Sequence, residues 1–357
     1  MSGSTQGRPH LNVFIVETRF QALVALLIAR SLPNTDNLVC HYRAEIGAFL
    51  SRFPFVRAQA IDTTPCSGLF RRQRSVKRVM NQVLAAIRQF PNARDIHLHT
   101  TKLQGPLFNY YVNFLRKQLP QATLHFNIIT DGAFNFHRGN MTQSDIRTMA
   151  HKDGNLLYRL FGLEFFPYSG DRFGIEADVI EKIYLLPKAP HEYDLKRSAG
   201  SRVLDIPIVD LGLAKKSASA EKRGLVIGEK LLDKQYLSEE EEKQVAETIG
   251  NLMKAQGITQ VDYVKHPLAD HPSLRLAWYN DLVIDGPVEI AIMENAYSII
   301  AGVRSTGLFT ARLLAGQECN VVSVGIDLCR NRRELAMKIK QAFLGMDIAV
   351  IDVDTGA

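Results

Sequence analysis

Short apolar runs that read as strands alternate with longer stretches of helical spacing along this chain, and they do so twice over. VFIV (13–16) is a buried strand, and FQALVALLIARS after it carries its apolar residues on a helical period. NLVCHY (37–42) gives the next strand, a helix starts at Ala44, and PFVRAQAI supplies a third strand. RRQRSVKR opens a helix that continues through MNQVLAAIRQF and stops near Pro91. DIHLH (95–99), a helix around Phe108–Lys117 and TLHFNII (123–129) complete a set of five strands. Strands joined through helices of this length pair in parallel, as βαβ units. The aromatic-rich stretch from Met141 to Pro190 is of mixed pattern and is expected under or beside that sheet.

AKKSASAEKRG (214–224) is polar and built of small residues, so a linker is expected at 214–223 between domains at 1–213 and 224–357. The alternation then resumes with GLVIG (224–228). Ser238 caps the helix SEEEEKQVAETIGNLMKAQG, with Glu241 three residues on as a capping box, and Gly257 stops it. VDYV (261–264), DLVI (281–284), SIIAG (298–302), NVVSV (320–324) and IAVID (348–352) are further strands, with helices from about Val288, Ser305 and Asn331. The expected fold class is α/β: two Rossmann-like domains whose parallel sheets face each other across a cleft. A chain of 357 residues is long enough for two cores.

Composition excludes several classes. At 46% hydrophobic and 22% charged residues the chain is neither disordered nor fibrous. Its longest apolar run, Ala22 to Ala29, is far short of a membrane span, and MSGSTQGRPH has no signal-peptide core. The expected location is therefore cytoplasmic. Cys40, Cys66, Cys319 and Cys329 show no metal spacing and read as buried reduced thiols. The net charge of +6 is unevenly placed: residues 1–160 hold 20 Lys+Arg against 8 Asp+Glu, the remainder 23 against 29. The densest run is Arg71, Arg72, Arg74, Lys77 and Arg78. It is either a solvated helix face or a contact for an anionic membrane surface or glycan. Nucleic acid is not expected as a partner, because no recognition motif accompanies the run.

Ligands of parallel sheets bind at the carboxyl ends of strands, and three motifs fall there. In IITDGAFNF, Asp131-Gly132 follows strand 123–129: a carboxylate placed for general-base work, or an Asp-Gly turn. In YVKHPLADH, Lys265-His266-Pro267 closes strand 261–264, putting an imidazole on a stiff backbone beside a cation. In GVRSTGLFTARLLAG, Ser305-Thr306-Gly307 leads from strand 298–302 into a helix. Two hydroxyls and free backbone N–H groups there would cradle a phosphate, unless Ser305 is an ordinary N-cap.

At these residues the chain resembles the bacterial sialyltransferases of GT-B fold, the lipooligosaccharide sialyltransferases and polysialyltransferases. Thr130-Asp131-Gly132, His266-Pro267 and Ser305-Thr306 match, in order, the family's acidic-acidic-Gly, His-Pro and Ser/Thr motifs. The opening NVFIVETRFQALVALLIA is similar to the family's first strand and helix, which brings in Thr18 and Gln21. GPVEIAIMEN resembles the segment whose Glu, here Glu289, contacts the nucleotide ribose. The chain departs from the pattern at Thr130, where the family usually has an acid.

The resemblance implies inverting transfer of sialic acid, or a related nonulosonate, from its CMP-activated form to a hydroxyl of lipopolysaccharide, lipooligosaccharide or capsule. Asp131 would be the base and a protonated His266 the acid. Lys265, Ser305, Thr306, Glu289 and Gly228 would bind the donor, and Thr18, Gln21 and Gly132 would line the substrate site. No metal or other cofactor is expected, since the cradle and the histidine supply positive field. The expected partners are the nucleotide-sugar donor, a glycan or glycolipid acceptor and, peripherally through 71–78, the inner membrane face. Two other readings keep the fold: a catalytically inactive nucleotide-sugar-binding or assembly protein, and an enzyme of UDP-linked sugars such as a hexosyltransferase or 2-epimerase.

Overall fold

The computed structural model describes residues 10–104, 107–132, 138–188, 191, 202–213 and 222–353. The chain divides into two compact units. Among the described residues, unit 1 extends to Leu211 apart from 186–188, and unit 2 takes that short segment and continues from Gly212.

Unit 1 contains β1 (His10–Val16), α1 (Arg19–Ser31), β2 (Asp36–His41), α2 (Ala44–Leu50), β3 (Arg57–Ala60), α3 (Arg71–Ile87) and β4 (Asp95–Thr100). It continues with α4 (Phe108–Gln118), β5 (Thr123–Ile129), α5 (Gln143–Asp153), α6 (Leu156–Leu160), β6 (Ile180–Leu185) and β7 (Arg202–Asp205). The strands form one parallel sheet in the order β3-β2-β1-β4-β5-β6-β7. Leu11, Val13 and Ile15 of β1, with Ile96, Leu98, Phe126 and Ile128 of the neighbouring strands, point into one core. Against them α3 lays Val76, Val79, Met80, Val83 and Leu84, spaced three and four apart so that they share a stripe. Each such side chain contributes about 1.5–3 kcal/mol when withdrawn from water.

Unit 2 contains β8 (Arg223–Ile227), α7 (Glu239–Ala255), β9 (Gln260–Val264), β10 (Asn280–Asp281), α8 (Val288–Glu294) and β11 (Ile299–Gly302). Then come α9 (Thr306–Leu314), β12 (Asn320–Val324), α10 (Arg333–Gly345) and β13 (Ala349–Ile351). Its sheet is again parallel, in the order β10-β9-β8-β11-β12-β13. The capping box of α7 forms as its sequence predicts, with Ser238 and Glu241 each bonding the other's backbone N–H. Gly257 takes φ +69, the left-handed turn that ends the helix.

Several expectations are narrowed or corrected. Of the two placements expected for 141–190, under or beside the sheet, its strand β6 takes the second: it pairs with β5 and with β7 extends the unit 1 sheet. The strand expected at 281–284 shrinks to Asn280–Asp281, and Val283 is exposed. Of the expected linker, 214–221 lie outside the described residues, and Arg223 already belongs to β8. Cys40, Cys319 and Cys329 are buried, but Cys66 is half-buried; all four are unpaired. Among the described residues no helix is long and apolar enough to cross a membrane.

Candidate functional site

In unit 2 the chain runs from β8 outward through β9 to β10, then returns to place β11 on the other side of β8. Such a reversal of strand order opens a crevice at the carboxyl ends of the strands on either side of it. The segments leaving β9, β8 and β11 therefore emerge side by side, and they carry His266, Gly228 and Ser305-Thr306.

Gly228 is required by packing. Its N–H donates to the Val264 carbonyl at 2.8 Å, and a Cβ there would meet that oxygen at 2.9 Å and the Tyr263 hydroxyl at 2.5 Å. The next residue is Glu229, a buried carboxylate. Its Oε1 accepts the backbone N–H groups of Val303, Arg304 and Ser305 at 2.8, 2.9 and 3.0 Å. Burial raises its pKa, with those N–H groups and Arg304 opposing the shift. Of the N–H groups expected to cradle a phosphate at Ser305-Thr306-Gly307, that of Ser305 is taken by this internal carboxylate and that of Gly307 by the Ser305 hydroxyl. Ser305 also serves as the N-cap of α9, its Oγ accepting from Gly307 N at 3.1 Å.

What this loop offers a ligand is side chains. Arg304 lies with its guanidinium carbon 3.9 Å above the Tyr236 ring centre, a cation–π seat that holds the group in place. Thr306 is half-buried at the first position of α9. Lys230, immediately after Glu229, reaches Asp233 at 3.5 Å.

His266 is half-buried. Its Nδ1 accepts the Leu268 N–H at 3.1 Å, so the ring proton belongs on Nε2. Burial lowers its pKa, Lys230 lowers it further, and Asp233 opposes them. The ring therefore presents an Nε2–H donor, and its surroundings disfavour the imidazolium expected from sequence. Lys265 is exposed and turns back to the Asp270 carbonyl at 3.3 Å. Glu289, on α8, is only 4% exposed and accepts the hydroxyl of Thr310 from α9 at 2.7 Å; burial raises its pKa.

In unit 1, Thr130 leaves β5 with its N–H donating to the Tyr184 carbonyl at 3.0 Å. Its hydroxyl accepts Gly132 N at 3.0 Å, and Gly132 adopts φ +87, so Thr130 and Gly132 together close the turn that carries Asp131. The side chain of Thr130 is buried while Asp131 is partly exposed. Thr18 caps α1 through the Gln21 N–H at 3.2 Å, and the Gln21 amide oxygen accepts Glu17 N at 2.7 Å. Both therefore shape the turn after β1, and Gln21 is buried.

Glu229, Arg304 and Lys230 were missed by the sequence reading. The available signal was position alone: GEK follows strand 224–228, and Arg304 directly precedes Ser305-Thr306.

No protein-family model matches this chain, and no curated protein matches it. Solved structures do. The glycotransferase of kitacinnamycin aligns over 98% of this chain and 88% of its own, at 13% identity and a TM-score of 0.55. A UDP-glucosyltransferase from Polygonum tinctorium aligns over 98% of this chain and 87% of its own, at 12% identity and a TM-score of 0.51. At this identity the likeness concerns the fold: two parallel-sheet, Rossmann-like domains of the GT-B class.

Proposed function

We propose that this chain is an inverting GT-B glycosyltransferase that moves sialic acid or a related nonulosonate from a CMP-linked donor to a hydroxyl of a bacterial surface glycan. The observation that carries the reading is the gathering of His266, Lys230, Arg304 and Thr306 along neighbouring strand ends of unit 2. Together they suit an anionic phosphodiester: two cations, a neutral N–H donor and a hydroxyl.

In the reaction the acceptor oxygen attacks the anomeric carbon, its proton passes to Asp131, and the bond from that carbon to the phosphate oxygen breaks. CMP leaves with the bonding electrons. The charge that grows on its phosphate is met by Arg304, Lys230 and the Nε2–H of His266, fixed before the reaction begins. Glu229 touches no substrate in this scheme; it holds the loop that carries Arg304 and Ser305. Glu289 would meet the ribose, with its Oε1 also accepting the Thr310 hydroxyl.

The acceptor in this reading is a lipid-linked glycan reached at the inner membrane face, with residues 71–78 making a peripheral contact. The likeness to a UDP-glucosyltransferase fold favours a second reading, a UDP-sugar donor in the same site. A donor panel separates the two. CMP released from CMP-sialic acid in the presence of a sialylatable glycan supports the first, turnover of UDP-sugars alone the second.

A further inference from the structure

Two short segments of unit 1 turn their apolar side chains outward. Leu69 and Phe70, which lead into α3, are 77% and 43% exposed, and Leu156 and Leu160 of α6 are 68% and 73% exposed, with Leu157 half bare beside them. They form one surface, because the ring of Phe70 lies 5.8 Å from that of Phe161, the residue that ends α6. The inner side of α6 is held by Tyr158, buried and stacked on Tyr110 of α4 at 5.3 Å. Leu156 and Leu160, one turn apart, are thus presented to the outside. Scattered exposed leucines are ordinary on a protein surface; a cluster of this kind marks an interaction site.

Cations surround the patch. Arg71, Arg72 and Arg74 are exposed on the first turn of α3, and Lys152 at the end of α5 is near enough to Arg72 to feel its charge. Asp62 and Asp153, the acids nearby, are already taken by Arg78 at 3.4 Å and Arg159 at 3.5 Å. From the edge of the patch opens a groove of about 420 Å³, lined by Arg74, Lys77, Arg78, Asn81, Gln82 and Phe161. Arg78 pairs with Asp62 and Gln82 bonds the Asp62 backbone through both ends of its amide, so Arg74, Lys77 and Asn81 are what the groove offers the oxygens of a phosphate. A second copy of the same face would set arginines against arginines, so self-association is opposed by charge.

We propose that this face seats unit 1 on a bilayer containing anionic phospholipid. Leu69, Phe70, Leu156 and Leu160 enter the acyl region, the arginines of α3 lie at headgroup level, and the groove takes a lipid phosphate. This goes beyond a purely electrostatic contact at 71–78, because inserted apolar side chains leave part of the binding resistant to salt. It extends the proposed approach to a lipid-linked acceptor, but it rests on neither the donor nor the reaction.

The test is cosedimentation of the full chain with phosphatidylcholine vesicles, with and without phosphatidylglycerol, at low and high salt and without nucleotide. Binding should require phosphatidylglycerol, weaken with salt and retain a residual fraction that salt does not remove. The double variant Leu156→Ser, Leu160→Ser should lose about tenfold in affinity and that residual fraction. Arg72→Glu, Arg74→Glu should lose the preference for the anionic lipid. Both variants alter exposed side chains, so an unchanged melting temperature identifies them as folded. No binding at low salt, or equal binding by the leucine variant, overturns the proposal. So does a concentration-dependent dimer that the leucine variant loses and vesicles do not displace. Since the assay contains no donor, its failure leaves the transferase reading standing, and a failed donor panel leaves the membrane face standing.

Discussion

The Glu229 carboxylate accepts the backbone N–H of Ser305 at 3.0 Å, and the same oxygen takes the N–H groups of Val303 and Arg304. One buried acid from the end of β8 thereby sets the conformation of the whole loop between β11 and α9. Truncation would strand three N–H donors, each worth about 1 kcal/mol net. Glu229→Ala should accordingly lower stability by about 3 kcal/mol in denaturant unfolding and abolish stabilisation by CMP. Glu229→Gln, which keeps one acceptor oxygen, should lose less of both. Equal stability of the alanine variant and the parent would show that the loop does not depend on this residue.

His266 acts in this account as a neutral donor. Its pKa lies below the ordinary 6.5, and Nδ1 is already engaged as an acceptor. CMP affinity should therefore be independent of the ring's titration from pH 8 to 6.5. His266→Ala should reduce both affinity and turnover at every pH in that interval. A gain in affinity on acidification through this range that disappears in His266→Ala would mean that the imidazolium, not the neutral ring, meets the phosphate.

Asp131 has the most direct kinetic test. Loss of a general base costs typically 10²–10⁴-fold, so Asp131→Asn should lower kcat by about that factor with CMP binding nearly unchanged. Asparagine preserves the turn that Thr130 and Gly132 close. A folded variant with the parent rate would move the base elsewhere.

A further expectation concerns acid stability. His97 stacks on His125 at 4.3 Å, and its pKa is pushed down to about 4 by burial first, then by His125 and Lys182, with Asp95 and Glu181 opposing. The folded chain binds this proton less readily than the unfolded chain. The contribution is therefore complete above pH 6.5 and is lost as pH falls from 6.5 toward 4. His97→Gln should flatten the decline of melting temperature across that window relative to the parent; an identical decline would remove His97 as its source.

The parallel sheets were legible because their strands are short apolar runs with helices between them, and the capping box at Ser238 and Glu241 formed as its residues dictate. β6 was hidden because IEKIYL follows a long aromatic stretch without periodicity, and DLVI mimicked a strand that pairs for only two residues. In the proposed site, the positions of His266 and Ser305 after β9 and β11 were legible, because their motifs are anchored at strand ends. Glu229 was not, because a single acid after a glycine has no local signature. Its role exists only once β8 and β11 are neighbours, which is tertiary information. The outward face of α6 was equally silent, since LLYRL reads as core until Tyr158 is seen to supply the inward contact.

The most direct measurement of the central claim is thermal stabilisation by CMP, UMP and UDP, followed by CMP release from CMP-sialic acid with a sialylatable glycan. A ligand at a hundred times its Kd adds about 2.7 kcal/mol, enough for a plain shift in melting temperature. The account predicts that CMP stabilises more than UMP or UDP and that CMP is released only when the acceptor is present. Equal shifts with all three nucleotides, or turnover with UDP-sugars and none with CMP-sialic acid, would contradict it.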